Sequence, residues 1–412
     1  MSRFRNALFV PAAALALLVG CATGARSAEV ERALATQPTG SAAPGLTHFD
    51  SIVPGILERF DVPGAGFAIV KDGRLVLARG YGLADVAAGR RVEPDTPFLL
   101  ASVSKSITAA TVLKLVEQGR LRFEDRAFAI LDELRPPPGR ELDPRIKQIA
   151  VQDLLYHAGG WDRETSGDPL TFEPRVRRAL HLRGPMTPRE LAHYMLGQPL
   201  DFTPATKCVY SNFGYMLLGM IIERVTGERY LSFVQETTLQ PMGLRVYEGA
   251  GRTEYAPGEA RRYGPEGQLV AKPGLPPVHF ASGAWIASAK DMARFMARIS
   301  GERAPGFLSP SLFTRMLSPP PPPVPPRGNG THFGMGWDVV DRGPEGVLFE
   351  KDGGVLGTTT WVEHRPNGAI WVLLMNVSLG KAHGPELHRM FKAEIRRAID
   401  AVTDWPTVDL FD

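Results

Sequence analysis

The sequence predicts an α/β protein of the α+β type: an antiparallel sheet built from both chain ends, flanked by helices, with a mostly helical region inserted between them. Three observations predict it. Strand-like runs cluster near the two ends of the chain. The middle, roughly 120–300, reads as helical patches broken by Pro and Gly. An Asp-Gly or Asn-Gly turn sits between apolar runs in both strand-rich ends, at Asp72-Gly73 and at Asn367-Gly368. Joining the two ends into one sheet is the economical arrangement, and no internal repeat argues for another.

The elements follow in order. Arg3 and Arg5 precede a short apolar run over 7–19, the pattern of an export signal rather than of a spanning helix. Its end, Leu18-Val19-Gly20-Cys21, resembles a bacterial lipobox, in which the cysteine is lipidated and begins the mature chain. Ala22 after it, instead of Asp, points to outer-membrane sorting. The competing reading is simple secretion, with cleavage after Ala25 and Cys21 discarded. Residues 1–21 are thus a signal segment, and 22–45, rich in Ala, Thr, Gly and Pro, a flexible tether. A single large domain spans 46–395, and 396–412 form a helix end and tail.

Within that domain, 66–70 and 74–78 make a hairpin around Lys71-Asp72-Gly73. Val103, Ile107, Ala110 and Leu113 mark one face of a helix that Gly119 closes. A second helix covers 213–225 and ends at Gly227. Ser288-Ala289-Lys290-Asp291 is a capping-box start for a helix through Arg298. Residues 318–327 hold seven prolines in ten and form an extended loop. Strands follow at 347–350, 358–364 and 370–376, then a final helix at 385–401.

Composition excludes several classes. The 412 residues suffice for a large core, and 44% hydrophobic with 22% charged residues is ordinary for a globular chain. A net charge of +3 is too small for a nucleic-acid binder. Cys21 and Cys208 are the only cysteines. Whether Cys21 is lipidated or cut away, Cys208 has no disulfide partner. No CxxC, HExxH, P-loop or GxGxxG string is present, so no metal or nucleotide cofactor is expected.

Two short strings carry the chemistry. Ser102-Val103-Ser104-Lys105 opens an apolar-periodic helix. There the hydroxyl faces a cleft, the lysine lies one turn on along the same face, and the helix N-terminus favours negative charge. The alternative is a capping serine beside a solvated lysine. A second such string, Ser378-Leu379-Gly380-Lys381, lies in a glycine-broken loop with none of these features. Tyr210-Ser211-Asn212 is the second string. A lysine of lowered pKa can serve as base to a serine, and a tyrosine held between them can relay the proton. Asn212 can donate to a substrate carbonyl and steady the lysine. Equally, Ser211 or Asn212 can cap the helix that begins near Phe213. Cys208 is a poor nucleophile, with no histidine near it in sequence, and is read as a small buried hydrophobe. His157 lacks a partner at metal-ligand spacing and is read as a packed structural histidine. Trp161-Asp162-Arg163 is read as a salt-bridged loop rather than as the cleft mouth.

With these strings and their flanks, the chain resembles the serine hydrolase superfamily of class C β-lactamases, penicillin-binding DD-peptidases and related esterases. The flanks are Thr96-Pro97-Phe98-Leu99-Leu100-Ala101 before Ser102, Leu115-Val116-Glu117-Gln118-Gly119-Arg120-Leu121 after it, and Leu154-Leu155-Tyr156-His157-Ala158-Gly159-Gly160. Phe202-Thr203-Pro204 and Gln240-Pro241-Met242-Gly243 extend the likeness over roughly 50–395. The resemblance implies that Ser102 is the acylated nucleophile, Lys105 and Tyr210 the base pair, and Asn212 a substrate-orienting group. The family's third motif, Lys or His-x-Gly on a strand, has three candidates. Lys71-Asp72-Gly73 stands ahead of Ser102, in the wrong order, and Lys272-Pro273-Gly274 holds a proline that a central strand rejects. Lys351-Asp352-Gly353 follows a strand-like run after Tyr210 and is chosen, a plain Asp-Gly turn being its other reading. Lys351 and Gly353 would then bind substrate, and the N–H groups of Ser102 and Gly354 would form the oxyanion hole. Asp352 departs from lactam-cleaving members, which often carry a hydroxyl residue there; ester-cleaving members often carry histidine in place of Lys351.

The expectation is an exported serine hydrolase that cleaves an ester, a β-lactam or a D-amino-acid peptide through an acyl-enzyme. The alternative is an envelope binding protein that has kept the fold and lost turnover. Its partner would be a small-molecule or peptide substrate. It would act as a monomer in the envelope or periplasm and touch membrane only through Cys21.

Overall fold

The structure, a computed structural model, describes residues 37–41, 43–271, 273–325, 327–328, 330–378 and 384–411. The signal segment, Cys21, most of the tether, Lys272 and Lys381 lie outside the described residues.

Strand β1 (Gly64–Lys71) and strand β2 (Arg74–Asp85) pair antiparallel across the expected turn. Asp72 and Gly73 both take positive φ there, 50° and 72°, which Asp tolerates and Gly favours. Short strands follow: β3 (Arg90–Arg91), β4 (Phe98–Leu99), β5 (Tyr247–Glu248), β6 (Trp285–Ala287), β7 (Thr331–Phe333) and β8 (Asp338–Asp341). The C-terminal meander is β9 (Val347–Val355), β10 (Thr358–His364) and β11 (Ala369–Met375). Among the described residues the main sheet has eight strands in the order β3-β2-β1-β11-β10-β9-β8-β7. Its seam is the antiparallel pairing of β1 with β11, Phe67 opposite Leu373, which joins the two chain ends as the sequence predicts.

The strands are apolar on both faces because both faces are covered. Phe67, Ile69, Trp371 and Leu373 pack with Phe49, Val53 and Ile56 of the helix Phe49–Arg59 and with Phe391 and Ile395 of the helix Gly384–Asp400. Ala68, Val70, Val372 and Leu374 face the opposite way, onto a larger core shared with the inserted region. Among the inner helices is Ala289–Ile299, whose Ser288 Oγ accepts from Asp291 N at 3.0 Å. Burial of two full layers, at about 25 cal/mol per Å² of apolar surface, is the dominant stabilising term.

Three details go beyond the expectation. The mostly helical middle region also supplies β5 and β6, which form a small antiparallel sheet with β4 from outside it. Elements of two or three residues are too short to show periodicity. The helix predicted as one-faced runs Ser104–Glu117 and is buried from Ser104 through Leu113. Its polar residues misled the periodicity because each has an internal partner. Ser104 Oγ accepts from Trp285 N at 3.1 Å, and Ser106 Oγ donates to Gly336 O at 2.8 Å. Thr108 Oγ1 donates to Ala281 O at 2.6 Å, and Thr111 Oγ1 to Ile107 O at 3.0 Å. Finally, β9 runs past the expected 347–350 to Val355, so Lys351-Asp352-Gly353 lies on a strand, as the chosen reading of that string has it, and not in a turn.

Candidate active site

The site grows from one tight turn. Ala101, at φ 46°, opens the short 3-10 turn Ala101–Val103 that precedes the 104–117 helix, and Ser102 sits on that turn. A residue with a Cβ seldom takes this conformation. Here its neighbours fix it. Leu100 N donates to Trp285 O at 2.8 Å, and Thr360 Oγ1 donates to Leu100 O at 2.8 Å. Strand β9 closes the turn from the other side. β8 pairs only with residues 347–350 of β9, so 351–355 extend past it as an open edge beside the turn. The approach requires glycine. A Cβ on Gly353 would lie 2.4 Å from Leu100 O and 3.0 Å from Ser102 N.

Tyr210 arrives on the segment before the helix Asn212–Thr226. Ser211 caps that helix, its Oγ accepting from Gly214 N at 3.1 Å, so the capping and site readings hold together. His157, buried and at φ 59°, fixes the same segment. Its Nδ1 accepts from Ser211 N at 3.1 Å and its ring packs 4.7 Å from that of Tyr210. Burial, then the nearby positive Lys351, hold this imidazole well below its usual pKa, so it is neutral.

The three groups meet at Ser102. Tyr210 Oη donates to Ser102 Oγ at 2.7 Å, and Lys105 Nζ lies 3.3 Å from the same oxygen. Lys105 Nζ also donates to Ser282 O at 2.7 Å. Burial, then the positive Lys351, push the Lys105 pKa well below the ordinary lysine value. Burial pushes the Tyr210 phenol up to about 12, against the pull of Lys351. Both shifts favour the uncharged forms: an amine, which can accept a proton, and a phenol, which can give one.

The other predicted residues find unexpected partners. Asn212 Nδ2 donates to Asp168 Oδ2 at 2.5 Å. Lys351 lies 5.0 Å from the Tyr210 ring centroid, and its Nζ donates to Asp338 Oδ2 at 2.8 Å. Burial opposes its charge, but Asp338, Tyr210 and Asp352 together hold its pKa above the ordinary lysine value. The pleat separates Asp352 from Lys351. Asp352 is opposite Trp361, on the outer-helix face, whereas Lys351 is opposite Val362, on the inner face. Gly354 is exposed at the open edge, paired with Thr359. Arg163, read as part of a salt-bridged loop, lies 5.8 Å over the Tyr210 ring; Asp162 beside it pairs with Lys207 at 2.9 Å.

The rival nucleophiles stand elsewhere. Cys208 is half-buried against the core, and burial pushes its thiol up to about 11. Ser378 follows β11, its N donating to Tyr263 O at 3.1 Å. Sequence reasoning missed Asp168, Asp338 and the Ser282 carbonyl. Asp338 comes to Lys351 only through the pairing of Asp338 with Glu350 across β8 and β9. Ser282 meets Lys105 across 177 residues. Neither leaves a local signal.

Comparison with known proteins places this geometry in context. The family described as Beta-lactamase matches residues 49–394. Protein flp of Staphylococcus aureus (strain NCTC 8325 / PS 47) is 28% identical over 196 residues, 47% of this chain and 36% of that protein. Esterase EstB of Burkholderia gladioli is 31% identical over 207 residues, 50% of this chain and 51% of that protein. The chain thus spans about half or less of the length of these curated relatives. Two solved structures share the fold. The octameric penicillin-binding protein homologue from Pyrococcus abyssi superposes with a TM-score of 0.67 at 24% identity, covering 84% of this chain and 77% of that one. The D-amino acid amidase from Ochrobactrum anthropi SV3 gives 0.66 at 22% identity, covering 86% and 98%.

Proposed function

The chain belongs to the beta-lactamase family, and from that premise we propose that it is a serine hydrolase cleaving an ester or amide through a Ser102 acyl-enzyme. One observation carries the reading: a single hydroxyl oxygen has Tyr210 Oη at 2.7 Å and the buried Lys105 amine at 3.3 Å. As Ser102 Oγ bonds to the substrate carbonyl carbon, its proton passes to neutral Lys105. The N–H groups of Ser102 and Gly354 hold the carbonyl oxygen as it becomes negative. When the carbonyl re-forms and the scissile bond breaks, the Tyr210 proton goes to the leaving group, and the Lys105 ammonium restores it. Water then repeats the sequence and frees Ser102. The names of the esterase and amidase relatives agree with this choice of bonds. A β-lactam, a short ester and a D-amino-acid amide or peptide are the substrate classes in view.

Labelling by a fluorophosphonate, with turnover of 4-nitrophenyl butyrate, tests the reading. Both are expected in the wild type and absent in Ser102→Ala. Labelling that survives in Ser102→Ala would overturn it. A wild-type adduct that never hydrolyses would instead favour a binding protein that has lost turnover. We further place the protein in the cell envelope as a monomer held by a lipid on Cys21. The support is the sequence pattern around Cys21, and Cys21→Ala should release the protein into the soluble fraction.

A further inference from the structure

The cation beside the nucleophile is already occupied. Lys351 is the buried ammonium nearest the Tyr210 ring other than Lys105, at 5.0 Å against 4.9 Å. A carboxylate on a substrate, placed near the scissile bond, would need that ammonium as its counter-charge. Lys351 Nζ instead holds Asp338 Oδ2 at 2.8 Å, with its side chain 3% exposed. Asp338 is also fastened to Arg327, 3.5 Å from its other oxygen, so the carboxylate is braced from two sides. Two more carboxylates act on the same site: both Asp168 and Asp352 add negative potential at Lys105. Asp168 further takes up the Asn212 amide, a donor otherwise open to a substrate. Arg163 is the remaining cation over Tyr210, and it lies 3.7 Å from Glu164.

Around the site, Asp168, Asp338 and Asp352 stand against Lys351, Arg163 and Arg327, and each of these cations already has a carboxylate within 4 Å. A substrate carboxylate entering there would be desolvated without a free partner, which is costly. We propose, resting on the serine-hydrolase reading, that Asp338 is a specificity-determining residue: by engaging Lys351 it removes the anion-binding position and restricts the enzyme to esters and amides with no carboxylate near the scissile bond. Penicillins, cephalosporins and peptides ending in a free carboxylate next to the cleaved bond are then poor substrates. Specificity arises here by an internal carboxylate that pre-empts the cation, rather than by a contact added to the favoured substrate.

The test compares two esters with the same leaving group: 4-nitrophenyl butyrate and the mono-4-nitrophenyl ester of succinic acid, which differ by a terminal carboxylate. Wild type is expected to favour the butyrate by at least about tenfold in kcat/KM, beyond their ratio in uncatalysed hydrolysis. Asp338→Asn frees Lys351 and should lower that preference about tenfold or more. Asp338→Glu, which keeps a carboxylate, should restore it. A merely structural role for Asp338 would slow both esters alike and leave the ratio unmoved, which overturns the proposal. So does a wild-type preference for the succinate ester, and this measurement stands even where a variant fails to fold. If neither ester is turned over, or Ser102→Ala still hydrolyses butyrate, the hydrolase reading itself fails and takes the inference with it.

Discussion

The start of the 104–117 helix and the free edge of β9 each bury a lysine against the same tyrosine, and the two lysines behave oppositely. Lys105 and Lys351 are 0% and 2% exposed. Their amines lie 4.9 and 5.0 Å from the Tyr210 ring centroid. Desolvation works against the charge of both. Lys105 meets one hydroxyl and a carbonyl, and burial and its positive neighbour carry its pKa well down. Lys351 meets Asp338, and its pKa goes up in spite of burial. Burial alone therefore does not decide whether a lysine is a base or a fixed cation. The partner within hydrogen-bond reach decides it. The two lysines also act on each other, since a charged Lys351 helps keep Lys105 neutral.

The largest expected effect comes from removing the neutral partner. Lys105→Met should fill the same buried volume with an apolar chain and lower kcat/KM about 10²–10⁴-fold, the range for loss of a general base. Steady-state hydrolysis of 4-nitrophenyl butyrate, with circular dichroism as the fold check, measures it. A loss under threefold would mean that another group takes the serine proton. The sign with pH follows from the lowered amine. The lowered pKa carries the free-base form of Lys105 to lower pH than an ordinary lysine allows, and activity is lost as pH falls through the folded-state pKa and the amine charges. On the alkaline side, Tyr210 keeps its proton until pH approaches about 12.

A smaller effect should follow from removing the charged partner. In Lys351→Met combined with Asp338→Asn, no carboxylate is left unpaired. The cation that depresses Lys105 is gone, so the Lys105 pKa rises. The acid limb of the kcat/KM profile should move to higher pH, by roughly one unit. A limb that stays in place, or moves to lower pH, would show that the two amines do not interact.

The same contrast explains what could be read from the sequence. Lys105 is local to Ser102, one turn along a helix, and the hydrogen-bonding grouping of Ser102, Lys105 and Tyr210 follows motifs visible in the chain. Hairpins were legible at Asp72-Gly73 and Asn367-Gly368 because turn chemistry and flanking apolar runs agree. The 104–117 helix was misjudged because Ser104, Ser106, Thr108 and Thr111 look like a wet face, yet each bonds inside the protein. Asp338 was illegible for another reason. Its role depends on strand register between β8 and β9, a pairing that no nearby residue encodes. Asp168 likewise reaches Asn212 across 44 residues. Sequence names the groups that share an element; the fold alone decides which carboxylate ends beside which cation.

The smallest effect is expected at the second Ser-x-x-Lys string. Ser378 follows β11, and its hydroxyl oxygen is buried without a hydrogen-bond partner among the described residues. Deleting an unsatisfied buried hydroxyl removes a desolvated polar atom and breaks no bond, so Ser378→Ala should be neutral or slightly stabilising, within about 1 kcal/mol. Fluorophosphonate labelling and ester turnover should match wild type, and the melting temperature should hold or rise by a few degrees. A drop in labelling would mean that this serine shares in the chemistry. The comparison would then have to be redrawn, because a serine without the helix start, the neutral amine and the phenol would have proved reactive.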